Sequence, residues 1–441
     1  MTSPVLKKLS VKKRYISLLP FIVFLGLFLG SGVYLTLQGV DFAFYQLPAS
    51  VAIIPAILLS IIIGKDSINS QVEQFIQGAG HPNIITMCII YLLAGAFGVI
   101  AQSTGSVDAS VQLGLSLFPD YLLLPGLFLV AAFISTAMGT SMGTIAAIAP
   151  IALGFVESAN IDASIIAGCL ISGAIFGDNL SIISDTTIAS TRSQGAKMKD
   201  KFKVNFKFAI PAALICLIIF ASQDISVDSI AVNNTNILGL LPYLIILLLA
   251  LLGVNVFVVL IIGIISAAIF GLFMQDYQLS MWVSDINKGF SKVQDIFILA
   301  MLIGGLSELI KRQGGLDTLT YAVKNLASKL FPNNEKRAAG FGIASLAFTS
   351  NFFTANNTVS IIITGDTAKI LATGGDIKAA QSASLLDIYA CINQGLIPYG
   401  AQALLLGASL NISPVEVVSS AYYPMILLVV ASIAFWRMTG R

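Results

Sequence analysis

The chain has 441 residues, of which 56% are hydrophobic and only 10% are charged, and its mean hydropathy is +0.90. Soluble domains carry about 25% charged residues, so the composition predicts a polytopic helical membrane protein. The net charge of +2 gives no indication of a nucleic-acid partner. A single histidine and the lack of a G-x-x-x-x-G-K-[ST] motif disfavour both an enzyme with a nucleophile–histidine pair and an ATP-driven pump.

The cysteines and the histidine give no indication of a metal site. Cys88, Cys169, Cys216 and Cys391 all fall in apolar runs, where cysteine behaves as a small buried hydrophobic residue. His81 directly precedes an apolar run and is expected at the surface or the membrane interface; a proton relay through it is the less favoured alternative.

The first half of the chain begins with a tail, 1–14, whose five basic residues predict a cytoplasmic location. Taking about 20 residues as one crossing, the apolar runs that follow predict spans at about 15–36, 50–64, 84–103 and 207–221, a re-entrant hairpin at about 120–156, and a broken helix at about 161–195. The basic segment 192–207 is expected in the cytoplasm. The polar segment 222–236 is expected to be an external linker.

The second half, 237–441, has the same order of features. It predicts spans at about 237–253, 255–274, 293–309 and 418–436, a re-entrant hairpin at about 338–372, and a broken helix at about 380–410. The basic loop 311–337 is expected in the cytoplasm. The alternative is that each hairpin is instead two full spans. Hairpins are preferred because their polar tips and the helix breaks can then meet at mid-membrane.

The stretch from Gly173 to Ser190, GAIFGDNLSIISDTTIAS, places polar residues between long apolar runs. An ionised Asp at membrane depth normally faces a cavity, a partner or an ion. Gly177 weakens a helix, and Asp, Asn and Ser compete for backbone hydrogen bonds. The stretch therefore predicts a helix that is broken at mid-membrane beside a polar site, with an ordinary loop as the alternative.

An internal repeat is indicated by two correspondences. Thr140, Gly143 and Thr144 match Thr354, Asn357 and Thr358 in order at an offset of 214, although the middle residue differs, and Gly177 matches Gly395 at an offset of 218. Five crossings per half, an odd number, predict an all-α protein with two inverted repeats, the first at 15–221. This topology places 22 of the 24 Lys and Arg residues in the cytoplasm, and the two exceptions are Lys288 and Lys292.

The two hairpin tips and the two helix breaks are expected to surround one binding site. Half-helix C-termini suit a dehydrated cation and N-termini suit an anion, and the carboxylates of Asp178 and Asp185 favour Na⁺ or H⁺. We expect Na⁺ to be held by Asp178 and Asp185 with Ser141 and Asn179. The remaining candidates are Thr140, Thr144, Gly177, Ser181 and Thr186 in the first half, and Asn351, Thr354, Asn356, Asn357, Thr358, Asn393, Gln394 and Gly395 in the second.

Three features have a structural alternative. Asp387 is either a third site carboxylate or the partner of a basic residue. The Gly139-x-x-x-Gly143 spacing is also typical of close helix packing. Asn356 and Asn357 are also suited to capping helices, a role that is compatible with ion binding at a hairpin tip.

Two motifs, Gly139-Thr140-Ser141-Met142-Gly143-Thr144 and Gly177-Asp178-Asn179-Leu180-Ser181 with Ser184-Asp185-Thr186-Thr187, resemble those of the NhaC-type Na⁺/H⁺ antiporter family. The resemblance extends over most of the chain. It implies inverted repeats, two hairpins, two broken helices, a scaffold domain, a homodimer and elevator-like alternation. The residues that it carries over are Gly139, Thr140, Ser141, Gly143, Thr144, Gly177, Asp178, Ser181, Ser184, Asp185, Thr186 and Thr187. Many members have proline where this chain has Ile182, a departure that predicts a less rigid break and leaves the substrate open.

The leading functional prediction is a Na⁺/H⁺ antiporter in the plasma membrane of a bacterium, with both termini cytoplasmic and no cofactor besides the transported ions. The alternative within transport is a Na⁺- or H⁺-coupled carrier or exchanger of a small carboxylate or amino acid, for which the Asn-rich second hairpin is suited. A channel, from another functional class, is disfavoured by the repeated hairpins, and trans-acceleration by unlabelled cargo distinguishes a carrier from it.

The topology predicts which introduced cysteines an impermeant external reagent labels in intact cells, in a background without the four native cysteines. Cysteines in 104–119 and 222–236 should react, and cysteines in 192–207 and 311–337 should not. External labelling of Asp200→Cys would contradict the topology.

Overall fold

The computed structural model describes residues 15–439 except 41–42, 118, 160, 224 and 226–236. The described residues form helices and no strand, which confirms the predicted all-α fold class. The predicted tail 1–14 and nearly all of the predicted linker 222–236 lie outside the described residues.

The α-helices are numbered in chain order. Those of the first half are α1 Leu19–Leu37, α2 Ala49–Ala52, α3 Ile54–Ile63, α4 Ile68–Ala79, α5 Pro82–Ser103, α6 Ser106–Leu117, α7 Asp120–Met138, α8 Ser141–Ala159, α9 Ala163–Leu180, α10 Asp185–Gln194 and α11 Met198–Ala221. Those of the second half are α12 Leu241–Leu251, α13 Val256–Met274, α14 Leu279–Lys292, α15 Gln294–Arg312, α16 Gly315–Leu330, α17 Glu335–Thr354, α18 Asn357–Gly374, α19 Ala379–Leu396, α20 Ala401–Leu410, α21 Pro414–Ser419 and α22 Tyr422–Thr439.

Six segments of the described chain are long and apolar enough to cross a membrane, or seven if α14 and α15, which meet at a 45° bend, form one span. The six are Ile16–Leu37, Pro82–Ser103, Tyr121–Met138, Ala163–Gln194, Met198–Ala221 and Val256–Met274. Four shorter apolar helical segments accompany them: Ala49–Ile63, Ser141–Glu157, Ile237–Leu251 and Tyr422–Arg437. The protein is therefore a multi-pass membrane protein.

The helix ends of the two halves repeat at one offset, 216 residues. Helices α7 and α17 end at Met138 and Thr354, α9 and α19 end at Leu180 and Leu396, and α10 and α20 begin at Asp185 and Ala401. The offsets of 214 and 218 expected from matching residue types are therefore wrong by two residues. In the structural register Asp178 corresponds to Gln394, and Gly177 corresponds to Asn393.

The halves also pack on each other reciprocally. Amphipathic helix α4 packs on α15 of the other half, and amphipathic α14 packs on α5. Each crossing is a glycine contact: a Cβ on Gly78 would lie 2.4 Å from the Gly304 carbonyl oxygen, and a Cβ on Gly95 would lie 2.4 Å from that of Gly289. The reciprocity is what a two-fold relation between repeats requires.

Each half contains a helical hairpin and a broken helix. The hairpins α7–α8 and α17–α18 turn through left-handed residues, Gly139 at φ +69° and Ala355 at φ +46°. The chain of α9 stays helical through Gly177 and Asp178 to Leu180, so the break lies at 181–184, inside the predicted stretch Gly173–Ser190 and one turn after Gly177. The second break was expected at 393–395 and at 398–400. It lies at 397–400, where Pro398 cannot donate a backbone hydrogen bond, and 393–395 stays helical.

The reciprocal crossing makes a prediction about stability. Gly78→Ala and Gly289→Ala should each destabilise the protein by about 1–3 kcal/mol, because the added methyl group meets backbone atoms that cannot move aside. Gly26→Ala on α1 is the matched control, since its Cβ has open space within 4 Å. Thermal unfolding in detergent measures all three, and a Gly289→Ala variant as stable as Gly26→Ala would contradict the packing.

Candidate functional site

The buried carboxylate of Asp178 lies half-way along the broken apolar segment Ala163–Gln194. The Ser141 hydroxyl donates to its Oδ2 at 2.8 Å, and the Ser184 hydroxyl donates to its Oδ1. Ser141 is the first residue of α8, directly after the hairpin turn, and Ser184 is the N-cap of α10. The hairpin tip and both sides of the helix break therefore meet at one carboxylate.

The hydrogen bonds continue from Asp178 into the second repeat. Gln402 in α20 donates through Nε2 to Ser141 Oγ at 2.9 Å, and Gln394 donates through Nε2 to Gln402 Oε1 at 2.8 Å. Gln394 is the residue equivalent to Asp178, so a carboxylate and an amide at matching positions are joined by two side chains. Gln402 is not among the residues predicted from the sequence. The signal available was its position in the first turn after the second break, equivalent to Thr186.

All of these hydrogen bonds point toward Asp178. An ionised carboxylate only accepts hydrogen bonds, and Ser141, having donated to Asp178, accepts from Gln402. Ser184 Oγ likewise accepts from the Thr186 backbone N–H at 3.3 Å and pairs with its hydroxyl at 2.9 Å. The arrangement stabilises Asp178 as an anion and leaves each carboxylate oxygen a further lone pair for a cation.

A second buried network lies beside the break. Lys201 Nζ is 2.7 Å from Asp387 Oδ2, and the two side chains are 1% and 0% exposed. Of the two roles predicted for Asp387, the structure shows the partner of a basic residue. Lys201, expected in a cytoplasmic basic segment, is buried because α11 begins at Met198, nine residues before the predicted start of that span. The missed signal is its helical spacing to buried Asn205 and Phe208.

The other predicted residues of the first half occupy positions around Asp178. Asn179 donates to the Tyr423 hydroxyl at 3.3 Å, and Ser181 donates to the Thr136 carbonyl at 2.8 Å. The Thr144 hydroxyl donates to the Thr140 carbonyl of its own turn at 2.9 Å and not to Asp178. These bonds satisfy backbone and side-chain groups near the break, and they leave Ser141 and Ser184 as the direct partners of Asp178.

Two predicted residues of this half have other surroundings. Asp185 is exposed in the first turn of α10, where the helix dipole stabilises a negative charge. The structure shows no hydrogen bond between it and Asp178. Its share in binding Na⁺ therefore stays a prediction. Gly177 is a packing residue: a Cβ there would lie 2.3 Å from the Ala132 carbonyl oxygen, so the glycine lets α9 approach α7.

In the second half, Asn351 plays the structural role of Ser135. Its Nδ2 donates to the Ala390 carbonyl at 2.8 Å, as Ser135 Oγ donates to the Ala174 carbonyl at 2.5 Å, and both pairs are 39 residues apart. Asn351 also donates to Gln394 Oε1 at 3.2 Å, which connects the hairpin to the network.

The tip of the second hairpin is capped by its own polar residues. Thr354 donates to the Asn356 carbonyl at 3.0 Å, and Asn356 is the N-cap of α18, accepting from Val359 N–H at 2.9 Å. Asn357 caps the Thr358 N–H at 2.9 Å and lies 3.6 Å from Cys391 Sγ. These residues therefore have the capping role that the sequence left open beside ion binding.

At the second break, two predicted residues are buried. Asn393 is fully buried, and both polar atoms of its amide lack a hydrogen-bond partner among the described residues. Gly395 packs tightly, since a Cβ would lie 2.3 Å from Ile175 Cδ1. In the described part of the chain no group of three or more His, Cys, Asp or Glu side chains is placed to hold a metal ion. The polar groups at the breaks are thus hydroxyls, amides, carbonyls and single carboxylates, which are ligands for a hard cation.

The sequence was compared with known proteins. The model of the Na⁺/H⁺ antiporter family matches twice, at residues 2–224 and 223–438. The chain belongs to the Na⁺/H⁺ antiporter family. Two matches of one family model, end to end, agree with the two structural repeats, and family membership confirms the resemblance read from the two motifs.

Individual relatives differ in their cargo. The chain is 24% identical over 369 residues to the Na⁺/H⁺ antiporter NhaC of Alkalihalophilus pseudofirmus, covering 76% of this chain and 78% of that one. It is 26% identical over 430 residues to the malate-2H⁺/Na⁺-lactate antiporter of Bacillus subtilis, covering 89% and 87%. Among solved structures it is similar to the Alcanivorax borkumensis YdaH transporter, with a TM-score of 0.40 and 14% identity over 97% of this chain and 99% of that one. Bacterial relatives and membrane-spanning helices together indicate a plasma-membrane protein.

The hydrogen bonds of Ser141 and Thr144 predict different roles for the two residues. Ser141→Ala removes a donor from Asp178 and the link to Gln402, so it should raise the Na⁺ concentration needed for half-maximal effect about tenfold, the size expected for one hydrogen bond to a charged group. Thr144→Val removes a hydroxyl that bonds within its own turn and should change that concentration less than about twofold. Na⁺-dependent H⁺ flux in proteoliposomes measures both, and equal effects would contradict the assignment.

Proposed function

We propose that the protein exchanges Na⁺ for H⁺ across the membrane and that Asp178 is the group that holds either ion. The observation that supports this most is the isolation of its charge. In the described part of the chain the acidic partners of ion pairs are Asp285, Glu308 and Asp387, and Asp178 has hydroxyl partners only. A buried carboxylate without a basic partner is unfavourable, and binding one cation or one proton relieves it.

The same isolation explains why the two ions exclude each other. Na⁺ requires the ionised carboxylate, with the Ser141 and Ser184 hydroxyl oxygens beside it as neutral ligands. A proton on Asp178 removes the charge that attracts Na⁺. The two ions then compete for one carboxylate. If the carrier changes sides only when that carboxylate is neutralised, each crossing carries either Na⁺ or H⁺, and the result is antiport.

For alternating access we propose that the hairpins and broken helices move against the scaffold formed by α4, α5, α14 and α15. Two cavities along this boundary, each between a scaffold helix and the second helix of a hairpin, support the idea. The cavity between α5 and α8 has a volume of about 30 Å³, and the one between α15 and α18 has a volume of about 180 Å³. Space between the two sets of helices is what their relative movement requires.

Among the described residues, few side-chain hydrogen bonds cross this boundary, which also suits a moving interface. Near the smaller cavity, Lys292 donates to the Ser409 carbonyl at 3.2 Å and Gln102 donates to Glu157 at 3.1 Å. Near the larger one, the Ser307 hydroxyl donates to the Phe353 carbonyl. A homodimer and cytoplasmic termini stay predictions beside this mechanism.

A carrier of a small carboxylate or amino acid is the second candidate. The observation in its favour is the fully buried amide of Asn393, which has no hydrogen-bond partner in the described chain and lies beside the Gln394–Gln402 pair. Amide N–H groups bind carboxylates, and the Bacillus subtilis relative is named for malate and lactate exchange. Flux of labelled carboxylates and amino acids, in the same proteoliposomes, distinguishes the two functions.

Asp178→Asn should abolish Na⁺-dependent H⁺ flux, with a loss of at least about 100-fold, because the variant keeps the shape of the side chain but cannot exchange a proton for Na⁺. Asp185→Asn, which changes an exposed carboxylate, should have a smaller effect. Asp366→Asn, which changes an exposed carboxylate on α18, is the matched control and should leave flux unchanged.

The measurement is H⁺ flux driven by an imposed Na⁺ gradient in proteoliposomes, for equal amounts of monodisperse protein. Wild-type flux in the Asp178→Asn variant would overturn the proposed function. A loss as large in Asp185→Asn as in Asp178→Asn would show that both carboxylates hold the ion.

A further inference from the structure

The buried Lys201–Asp387 ion pair has no role in the proposed exchange at Asp178. It connects the two repeats, because Lys201 is on α11 and Asp387 is on α19. In the register of 216, the equivalent positions in the opposite repeats are apolar, Val417 and Ile171. The repeats share their hairpin turns and helix breaks but not this pair, so the backbone architecture does not require it.

Each end of the ion pair is connected to a backbone carbonyl of the first helix break. Asn205 Nδ2 donates to Asp387 Oδ2 at 2.7 Å and to the Asn179 carbonyl at 2.8 Å. The two acceptor oxygens are therefore at most 5.5 Å apart, since one nitrogen binds both. On the other side, Lys201 Nζ donates to Thr187 Oγ1 at 2.6 Å, and Thr187 donates to the Ser181 carbonyl at 2.8 Å.

These carbonyls are chemically suited to the cargo. The last carbonyls of a helix have no partner in the helix and carry partial negative charge. At a broken membrane helix such groups coordinate dehydrated cations. Asn179 and Ser181 follow Asp178 by one and three residues. A side chain that holds their oxygens fixes where they lie relative to the carboxylate.

Stability alone does not account for the pair. Removing two charges from water costs so much that a buried ion pair is often no more stable than apolar residues of similar volume. Asp387 Oδ1, moreover, has no hydrogen-bond partner among the described residues, and all the donors that reach this carboxylate bind Oδ2. The donors thus gather on the side that faces Asn205 and Lys201, the two residues connected to the break.

We propose that the Lys201–Asp387 pair is a positioning element of the cation site. Through Asn205 and Thr187 it fixes the Asn179 and Ser181 carbonyls, and this sets the affinity and the ion selectivity of the site at Asp178. The proposal rests on the proposed Na⁺/H⁺ exchange. It adds two charged residues, Lys201 and Asp387, that act on the site through other side chains and do not bind the ion themselves.

The test replaces the pair without leaving one buried charge alone. Lys201→Met combined with Asp387→Leu should raise the Na⁺ KM about tenfold, as loss of groups that orient metal ligands typically does. It should also change the ratio of the Li⁺ and Na⁺ KM values, with the maximal rate within about threefold of wild type. The matched control is Lys288→Met combined with Asp285→Leu, the other Lys–Asp pair of the described chain, which lies on scaffold helix α14 and should leave both quantities unchanged.

A second pair of variants keeps the ions and removes the connections. Thr187→Val combined with Asn205→Leu should raise the Na⁺ KM to the same extent, and adding these changes to the charge-free variant should raise it little further, because both act on the same carbonyls. These variants also provide the answer if the charge-free protein does not fold, as judged by monodispersity in detergent.

The outcomes are distinct. Wild-type protein that exchanges no Na⁺ for H⁺ would overturn the proposed function and this inference with it. Wild-type exchange, with a Na⁺ KM that neither set of variants moves, would overturn the positioning role alone. A fall in maximal rate at unchanged KM and unchanged Li⁺/Na⁺ ratio would assign the pair to stability and also overturn the role.

Discussion

A helix that breaks inside a membrane leaves carbonyl and amide groups without partners, and lipid supplies none. Side chains in this protein answer that requirement at the first break and at both hairpin turns. Ser184 caps α10, Asn356 caps α18, and Thr187 and Asn205 bind the carbonyls at the end of α9. The polar residues at the centre therefore first satisfy backbone groups, and the proposed ion site uses the groups that remain.

The two repeats share a backbone but differ in chemistry. The same offset of 216 relates the helix ends, and the hairpin-to-helix hydrogen bond of Ser135 recurs at Asn351. At the break, however, a carboxylate in one repeat faces an amide in the other, Asp178 against Gln394. A symmetric pair of carboxylates would repel each other and raise the cost of burial. With one carboxylate and one amide, the proposed exchange needs a single cargo ion to compensate a single charge.

The sequence predicted the architecture well because apolar length and polar interruption are local properties. The stretch around Asp178, the two hairpins and the broken helices could all be located from them. The register was off by two residues because it was read from matching residue types, Thr with Thr and Gly with Gly, whereas the structure pairs Gly139 with Ala355 and Gly177 with Asn393. Residue identity had changed between the repeats where their backbone had not.

Long-range pairing was not available to sequence reasoning. Lys201 is one of several basic residues in its segment, and only its partner on α19, 186 positions later, explains its burial. Gln402 is similar, since its contact with Ser141 crosses 261 positions. The exposed position of Asp185, seven residues after Asp178, depends on the extended backbone of the break rather than on helical spacing.

The reciprocal crossing of α4 with α15 and of α5 with α14 has a consequence for biosynthesis. Gly78 meets its partner Gly304 only after more than 200 further residues have been made. During translation the faces of α4 and α5 that pack on α15 and α14 stay without their partners until the second half has been made. Neither half alone buries these crossing faces, so each half completes the packing of the other.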